Sequence, residues 1–459
     1  MKVGSKLRLI APEKIFAILV AIFGILFLIV TPPFQVADEN AHFFRAYHVS
    51  EGHWMAEKSG KEFGGLLPES IATVAQVVSG GVAFHPENKQ KIEDIFTTLR
   101  IPLNPEKRSF INYWTVAKYS PVPYLPQASG IAIARFLGAP PLALMYFGRL
   151  FNLIFFALAG YFAIKVTPVF KWGFLLLLLT PISLFTAASV SGDALTIGVS
   201  FLLTAIFLSC ALDESVSFDR TRGIAIFVLA SLLSLAKPPY QLLILLFFMI
   251  PIKKIGNKKT YVAVFSLLAA WCATLSLGVV YAIKDLKDVS YSPEMTSPTN
   301  QLAFLADHPG RFFVAFFNGW VADGLNIIHQ LIGQLGWLDT QLPGVLIDSY
   351  LGLLLIVAIF GGNREIRLSR IQRFVIFLTA ALNTVLISFV LYLHWAPLGA
   401  SILRGWQGRY LIPFSPLLFL LFYNRKSCVD DQKLELLVTF YILFAATLTL
   451  IVLFYRYYV

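Results

Sequence analysis

Two adjacent carboxylates, Asp38 and Glu39, open the stretch "ADENAHFFRAYHVSEG", and His42 and Arg45 follow them at helical spacing. Arg149, Asp193, Lys237 and Arg409 stand at the ends of long apolar runs, the last of them followed by Tyr410. Carboxylates and cations at a water–lipid boundary suit the transfer of a sugar from a polyprenyl phosphate. The leaving phosphate is already good and needs no strong general acid. The acceptor hydroxyl is a poor nucleophile that one positioned carboxylate can help as general base. The departing phosphate needs cations, from side chains or from a bound divalent metal. Asp38 and Glu39 are the candidates for the base, and Lys237, Arg409 and Arg149 for the phosphate. Asp193, His42, Arg45 and Tyr410 are expected to support the substrate or a metal.

Plainer roles compete for the same residues. Asp38 can be a helix N-cap, with Glu39 favoured by the helix dipole. Asp193, in "SVSGDALT", can cap the helix that it opens. Lys237 can snorkel to headgroups, and Arg45 can pair with Asp38 or Glu51. Glu39-x-x-His42 has metal-ligand spacing, but so do many acid–histidine pairs. Trp337 and Asp339, in "GQLGWLDT", read equally as an acceptor groove or a packed surface turn.

The elements that must hold these residues are membrane helices. The chain is 57% hydrophobic and only 14% charged, a balance foreign to soluble domains. Apolar runs recur at roughly the length that crosses a bilayer. They fall at 15–31, 142–164, 172–189, 193–212, 223–237, 239–252, 260–283, 344–360, 374–394, 410–424 and 436–455. The expected fold is an all-α polytopic membrane protein of about eleven transmembrane helices, a single domain over 1–459. The first run lacks a small-residue cleavage site and reads as a retained span, not a signal peptide. The stretch 312–338 is expected to lie on or dip into the outer face as an amphipathic segment.

The net charge of +11 belongs to topology and not to nucleic acid. Basic clusters fill the short loops: Lys2, Lys6, Arg8 and Lys14; Lys165 and Lys171; Arg220 and Arg222. Lys253, Lys254, Lys258 and Lys259 follow, then Arg364, Arg367, Arg370 and Arg373, then Arg425, Lys426 and Lys433. The positive-inside rule turns these loops to the cytoplasm. The loop 32–141 and the region 284–343 then face outward, with all seven histidines. The long loop is a sub-domain with short helices, too poor in apolar residues for a large core of its own. "ADENAHFFRAYHVSEG" reads as one of those helices, with Asp38 at its start and Gly52 beyond its end. Of the three cysteines, Cys210 and Cys272 lie in spans and Cys428 in a short loop. No disulfide framework is suggested.

A long outer loop after the first span, opened by an acidic pair, resembles the GT-C superfamily of polyprenyl-phosphate-sugar glycosyltransferases, as does the Lys–aromatic string "AKPPY". More closely, "ADENAHFFRAYHVSEG", "ASVSGDALTIG", "LIGQLGWLDTQLP" and "GWQGRYLIPFSPLL" resemble the bacterial membrane family named for domain of unknown function 2142. Ala37 stands where that family often has proline before the acidic pair. The resemblance implies a GT-C-like glycosyltransferase in the bacterial plasma membrane with its active face extracytoplasmic. It would move a sugar from a polyprenyl-phosphate donor to a cell-envelope acceptor: a glycan, a lipid or a protein. It adds a metal-holding role for Asp193, with Glu39 as the alternative ligand, should a divalent cation (Mg or Mn) take part; no other cofactor is called for. The rival classes are a transporter or flippase of lipid-linked sugars and a non-catalytic protein of envelope polysaccharide assembly. A transporter favours midplane charge and internal repeats, whereas here charge gathers at one surface and no repeat is evident.

Overall fold

The computed structural model describes residues 10–284, 297–363, 365–425 and 429–459. Lys2, Lys6, Arg8, Arg364, Lys426 and Cys428 lie outside the described residues, as does the stretch 285–296 of the region 284–343 expected to face outward. The described chain is a helical bundle with two small sheets at one end.

Among the described residues six helices are long and apolar enough to cross a membrane: Pro12–Val30, Pro141–Val166, Asp193–Leu212, Lys258–Ala282, Arg370–Trp395 and Asp431–Tyr458. Asp193–Leu212 is the central one, 89% buried in its most apolar window against 17% for Lys258–Ala282. The other expected spans are shorter or broken, and the breaks fall at proline. The run 172–189 divides into Lys171–Leu178 and Pro181–Ala187, with Thr180 Oγ1 accepting from the Ser183 amide to start the second piece. The run 239–252 becomes a 3₁₀ segment, Pro238–Met249, that follows the Arg220–Ala236 helix. Pro238 and Pro239 lack the N–H groups that an α-helix would need to continue. The run 410–424 is two short 3₁₀ turns and the helix Ser415–Leu420. The stretch 312–338 corresponds to a helix, Arg311–Gly333, that ends in a two-stranded hairpin, Gln334–Leu335 with Thr340–Gln341.

Helix ends sort into two sets. Lys254 Nζ donates to the carbonyls of Cys210, Asp213 and Val216 at 3.0, 2.5 and 2.9 Å, closing the C-terminus of the central helix. Arg373 does the same for Leu421 and Tyr423 at 2.8 and 2.6 Å. A cation at a helix C-terminus satisfies orphan carbonyls and matches the dipole. The basic loops therefore share one end of the bundle. The ends carrying Asp38, Arg149, Asp193, Lys237 and Arg409 share the other.

The loop between the first two long helices is more built than its composition suggests. Besides the helices Glu39–Ser50, Glu69–Ser79, Ile92–Thr98 and Leu125–Phe136 it holds an antiparallel sheet, Glu57–Ser59, Glu62–Pro68 and Arg108–Asn112, in that spatial order. Its core joins Phe43, Tyr47, Leu67, Ile71, Val74 and Ile131 to Leu142, Met145 and Val190 from the bundle. Loop and helix ends thus share one apolar cluster, and the loop needs no large core of its own.

Candidate active site

The first long helix stops at Val30, and the chain turns through Pro32 and Pro33 into the Glu39–Ser50 helix. Phe34 and Asp38 both sit in the left-handed region, at φ 63° and 60°. Asp tolerates that conformation better than most residues, yet it stores about 1–3 kcal/mol of strain. Asp38 is the residue before the helix, and its backbone carbonyl accepts from the His42 amide at 2.9 Å. Its carboxylate makes no capping bond, so the N-cap role expected of it is not performed by the side chain. Among the described residues no hydrogen bond reaches that carboxylate. Burial raises its pKa above the usual carboxylate value; the Arg409 charge opposes this and the Asp193 charge adds to it.

Glu39 points elsewhere. It is fully buried and forms a two-pronged ion pair with Arg149, Nε to Oε1 at 2.8 Å and Nη2 to Oε2 at 2.6 Å. The Val190 amide also donates to Oε1 at 3.2 Å. Arg149 spends its other donors on the carbonyls of Leu28, Thr31 and Pro32, at 3.1, 2.8 and 2.9 Å. A guanidinium has five N–H groups, and all five are used. Arg149 therefore has no donor left for a phosphate, and Glu39 has no free charge for catalysis or for a metal. Both expectations are corrected: the pair rivets the first helix, the loop helix and the Pro141–Val166 helix together.

The second acidic centre gathers the cations. Asp193 opens the central helix and is ion-paired with Lys237 through Oδ1; Arg409 Nε lies 3.7 Å from Oδ2. Lys237 ends the Arg220–Ala236 helix in an extended conformation, with its ammonium 5.5 Å from the Tyr119 ring centre and 5.8 Å from that of Tyr410. Such faces stabilise a cation. Arg409 differs from Arg149 in one decisive way. Among the described residues its guanidinium makes no hydrogen bond, and its buried Nε is orphaned. Leaving a buried donor unmade costs about 1–3 kcal/mol, so the group is poised for an acceptor from outside the chain. Asp193 is already matched by two cations, and a divalent metal would have to displace them. Neither Asp193 nor Glu39 is thus prepared as a metal ligand.

Aromatic groups wall the cluster. His42 is buried, with Nδ1 2.8 Å from the Tyr124 hydroxyl and its ring parallel to Tyr119. Burial drives its pKa down to about 3, against a smaller upward pull from Asp193. It is a neutral imidazole at physiological pH. Tyr119 and Tyr124 are held well above the usual phenol range, mainly by burial. The Tyr240 hydroxyl donates to the Tyr410 carbonyl at 2.9 Å, fixing the turn that carries Arg409. Tyr119, Tyr124 and Tyr240 are members of the site that reading for charge alone passes over. The signal for them was aromatic residues set beside proline, in "YSPVPY" and "KPPY".

Three more expected site residues serve the framework. Arg45 is buried and donates to the carbonyls of His53, Trp54 and Tyr119 at 3.3, 2.6 and 3.5 Å. It pairs with neither Asp38 nor Glu51; Glu51 is held by Arg108. Asp339 receives Arg456 Nη2 at 2.8 Å, the Phe84 amide at 3.0 Å, and the Trp337 amide and Thr340 hydroxyl at 3.1 Å each. Trp337 Nε1 donates to the Phe34 carbonyl at 3.2 Å. The pair is a latch between hairpin, loop and last helix, not an open acceptor groove. Gly336, at φ +65°, is required there because a Cβ would lie 2.1 Å from Asp339 Oδ1.

The chain belongs to the family described as Predicted membrane protein (DUF2142), whose model matches residues 21–418 and so includes Asp38, Asp193, Lys237 and Arg409. No curated protein and no solved structure matches it.

Proposed function

We propose that this protein is a GT-C-like glycosyltransferase that moves a sugar from a polyprenyl-phosphate donor to an acceptor in the cell envelope. The observation that carries the reading is that the Arg409 charge acts on Asp38 while, among the described residues, neither the partly buried Asp38 carboxylate nor the Arg409 guanidinium makes a hydrogen bond. One is ready to take a proton and the other to bind an anion, at the same end of an apolar bundle.

The reaction needs both. The acceptor oxygen attacks the anomeric carbon, the bond from that carbon to the phosphate oxygen breaks, and its electron pair leaves with polyprenyl phosphate. The acceptor proton goes to Asp38. The donor phosphodiester carries one negative charge, and the departing monoester gains a second. Arg409 and Lys237 therefore bind the products of bond cleavage more strongly than the donor, which is how fixed charge lowers a barrier. Asp193 holds Lys237 in place. Neutral His42 and the buried tyrosines surround these groups with rings of low polarity, where each charge counts for more.

The reading includes about eleven membrane crossings, with the shorter and broken segments completing the six long helices. It sets the site end outside the plasma membrane of a bacterium, opposite the basic loops. The test is transfer by the full-length protein in nanodiscs. The donor and acceptor are found by comparing lipid-linked sugars and surface glycans of a deletion strain with its parent. Donor-dependent release of polyprenyl phosphate by the parent protein and its collapse in Asp38→Asn is the expected result. Parental transfer by Asp38→Asn overturns the assignment.

A further inference from the structure

The helix that begins at Asp38 ends in a second group of ligating side chains. His48, His53 and Glu57 each present a ligand atom, all within 4.8 Å of one another. His48 is fully buried, and its Nδ1 lies 2.7 Å from the Tyr113 hydroxyl. Its Nε2 has no hydrogen bond, although Glu57 Oε1 is only 3.3 Å away. His53 Nδ1 is 3.7 Å from the same oxygen. A buried ring nitrogen without a partner, aimed at a carboxylate and a second imidazole, asks for an electrophile.

We propose that His48, His53 and Glu57 form a zinc site, independent of the sugar-transfer reading. Two imidazoles and one carboxylate are an established donor set for Zn²⁺, with a fourth position left to water. The outer partner that such a ligand requires is present. With its proton on Nδ1, His48 donates to the Tyr113 oxygen and offers Nε2 to the metal, the arrangement by which second contacts fix tautomer and ring. Gly65 gives the ring room, since a Cβ there would lie 2.8 Å from both Cε1 and Nε2 of His48. Arg45 grips the His53 and Trp54 carbonyls and so holds the chain between the ligands.

Ligand atoms in a tetrahedral zinc shell stand about 3.3 Å apart, given bonds of about 2.0–2.2 Å. The group must tighten, and the ring of His53, now stacked on His48 with centres 4.5 Å apart, must turn. Both mobile ligands can do so: the side chains of His53 and Glu57 are 52% and 43% exposed. Arg45 is a nearby cation that opposes a metal, while Arg108 is occupied by Glu51. The metal would tie the C-terminus of the Glu39–Ser50 helix to the first strand of the sheet.

The test uses the full-length protein, purified with a histidine-free tag, stripped with chelator and titrated with Zn²⁺ against a chromogenic competitor. One equivalent is expected to bind. His53→Ala at an exposed position and Glu57→Gln at a half-buried one are each expected to weaken it at least tenfold while the protein elutes unchanged on size exclusion. Tyr113→Phe should weaken it about 10–100-fold. Amide exchange from Val49 to Ser59 should slow on adding zinc. Absence of zinc binding by the parent protein, or binding unaltered in both His53→Ala and Glu57→Gln, overturns the site.

Discussion

Glu39 locks both carboxylate oxygens onto Arg149, whose chain position is 110 residues away. Asp38, its immediate neighbour, is left outside that pair with its own carboxylate unbonded. Adjacent acids thus have opposite fates because the chain reverses between them: Asp38 is left-handed, and Glu39 is the first residue of a helix. One residue holds the bundle end together, and the other lies in the field of Arg409.

Asp38→Asn separates chemistry from stability. Loss of a general base costs about 10²–10⁴ in rate. Burial raises the folded-state pKa of Asp38, so its stabilising contribution is present below the unfolded pKa and lost as pH rises through the folded one. Ionised Asp38 is therefore a burden at pH 7, and Asn also accepts the left-handed conformation. Thermal unfolding of the Asn variant should match or exceed that of the parent while transfer falls. A clearly lower melting temperature would mean that Asp38 is structural.

The pH–rate profile of the parent should rise as Asp38 ionises. Arg409 lowers the Asp38 pKa, so Arg409→Gln should move the acidic limb of the residual activity to higher pH. A limb that stays in place, or moves to lower pH, would separate Arg409 from the base.

Lys237→Ala and Arg409→Ala should each weaken donor binding. Losing a charge-assisted contact costs roughly 1.5–3 kcal/mol, about 10–150-fold in affinity. Arg409→Ala should stay folded, because among the described residues no hydrogen bond is lost with it and Asp193 keeps Lys237 as its closer partner. Donor titration in nanodiscs checks both, and unchanged affinity would reduce the two cations to interfacial anchors.

Glu39→Gln and Arg149→Met should behave as folding variants. Breaking a buried ion pair by removing one partner costs about 3–5 kcal/mol. Lower yield and a lower unfolding temperature in detergent are expected of both. A well-folded Glu39→Gln with selectively lost transfer would return Glu39 to the catalytic role.

Cysteine labelling in intact cells should reach positions in 53–57 and 85–93 and miss positions in 253–259. Labelling of the basic loop from outside would invert the proposed orientation, and donor and acceptor would then lie in the wrong compartment.

Charge beside long apolar runs was legible because it is expensive there, and it led directly to Asp38, Asp193, Lys237 and Arg409. It could not tell a used charge from a free one. Arg149 and Arg409 look alike as single residues at run ends, and only folding shows five donors filled in one and none in the other. The sheet was hidden because its strands are short and its third member, Arg108–Asn112, arrives long after the second. The breaks at Pro181 and Pro238 were visible as prolines, but hydropathy carries straight across them.

The Asp339 latch bears on how the protein is made. The last helix supplies Arg456, which grips Asp339 and the Val82 carbonyl; its Tyr457 carbonyl accepts from Gln90, and its Tyr457 hydroxyl donates to Gln35. The loop between the first two long helices is thereby fastened by residues that leave the ribosome nearly four hundred positions later. A chain inserted helix by helix must keep residues 82–90 unfastened until the Asp431–Tyr458 helix has been made. The end of the bundle that carries this loop therefore closes only when the Asp431–Tyr458 helix joins it.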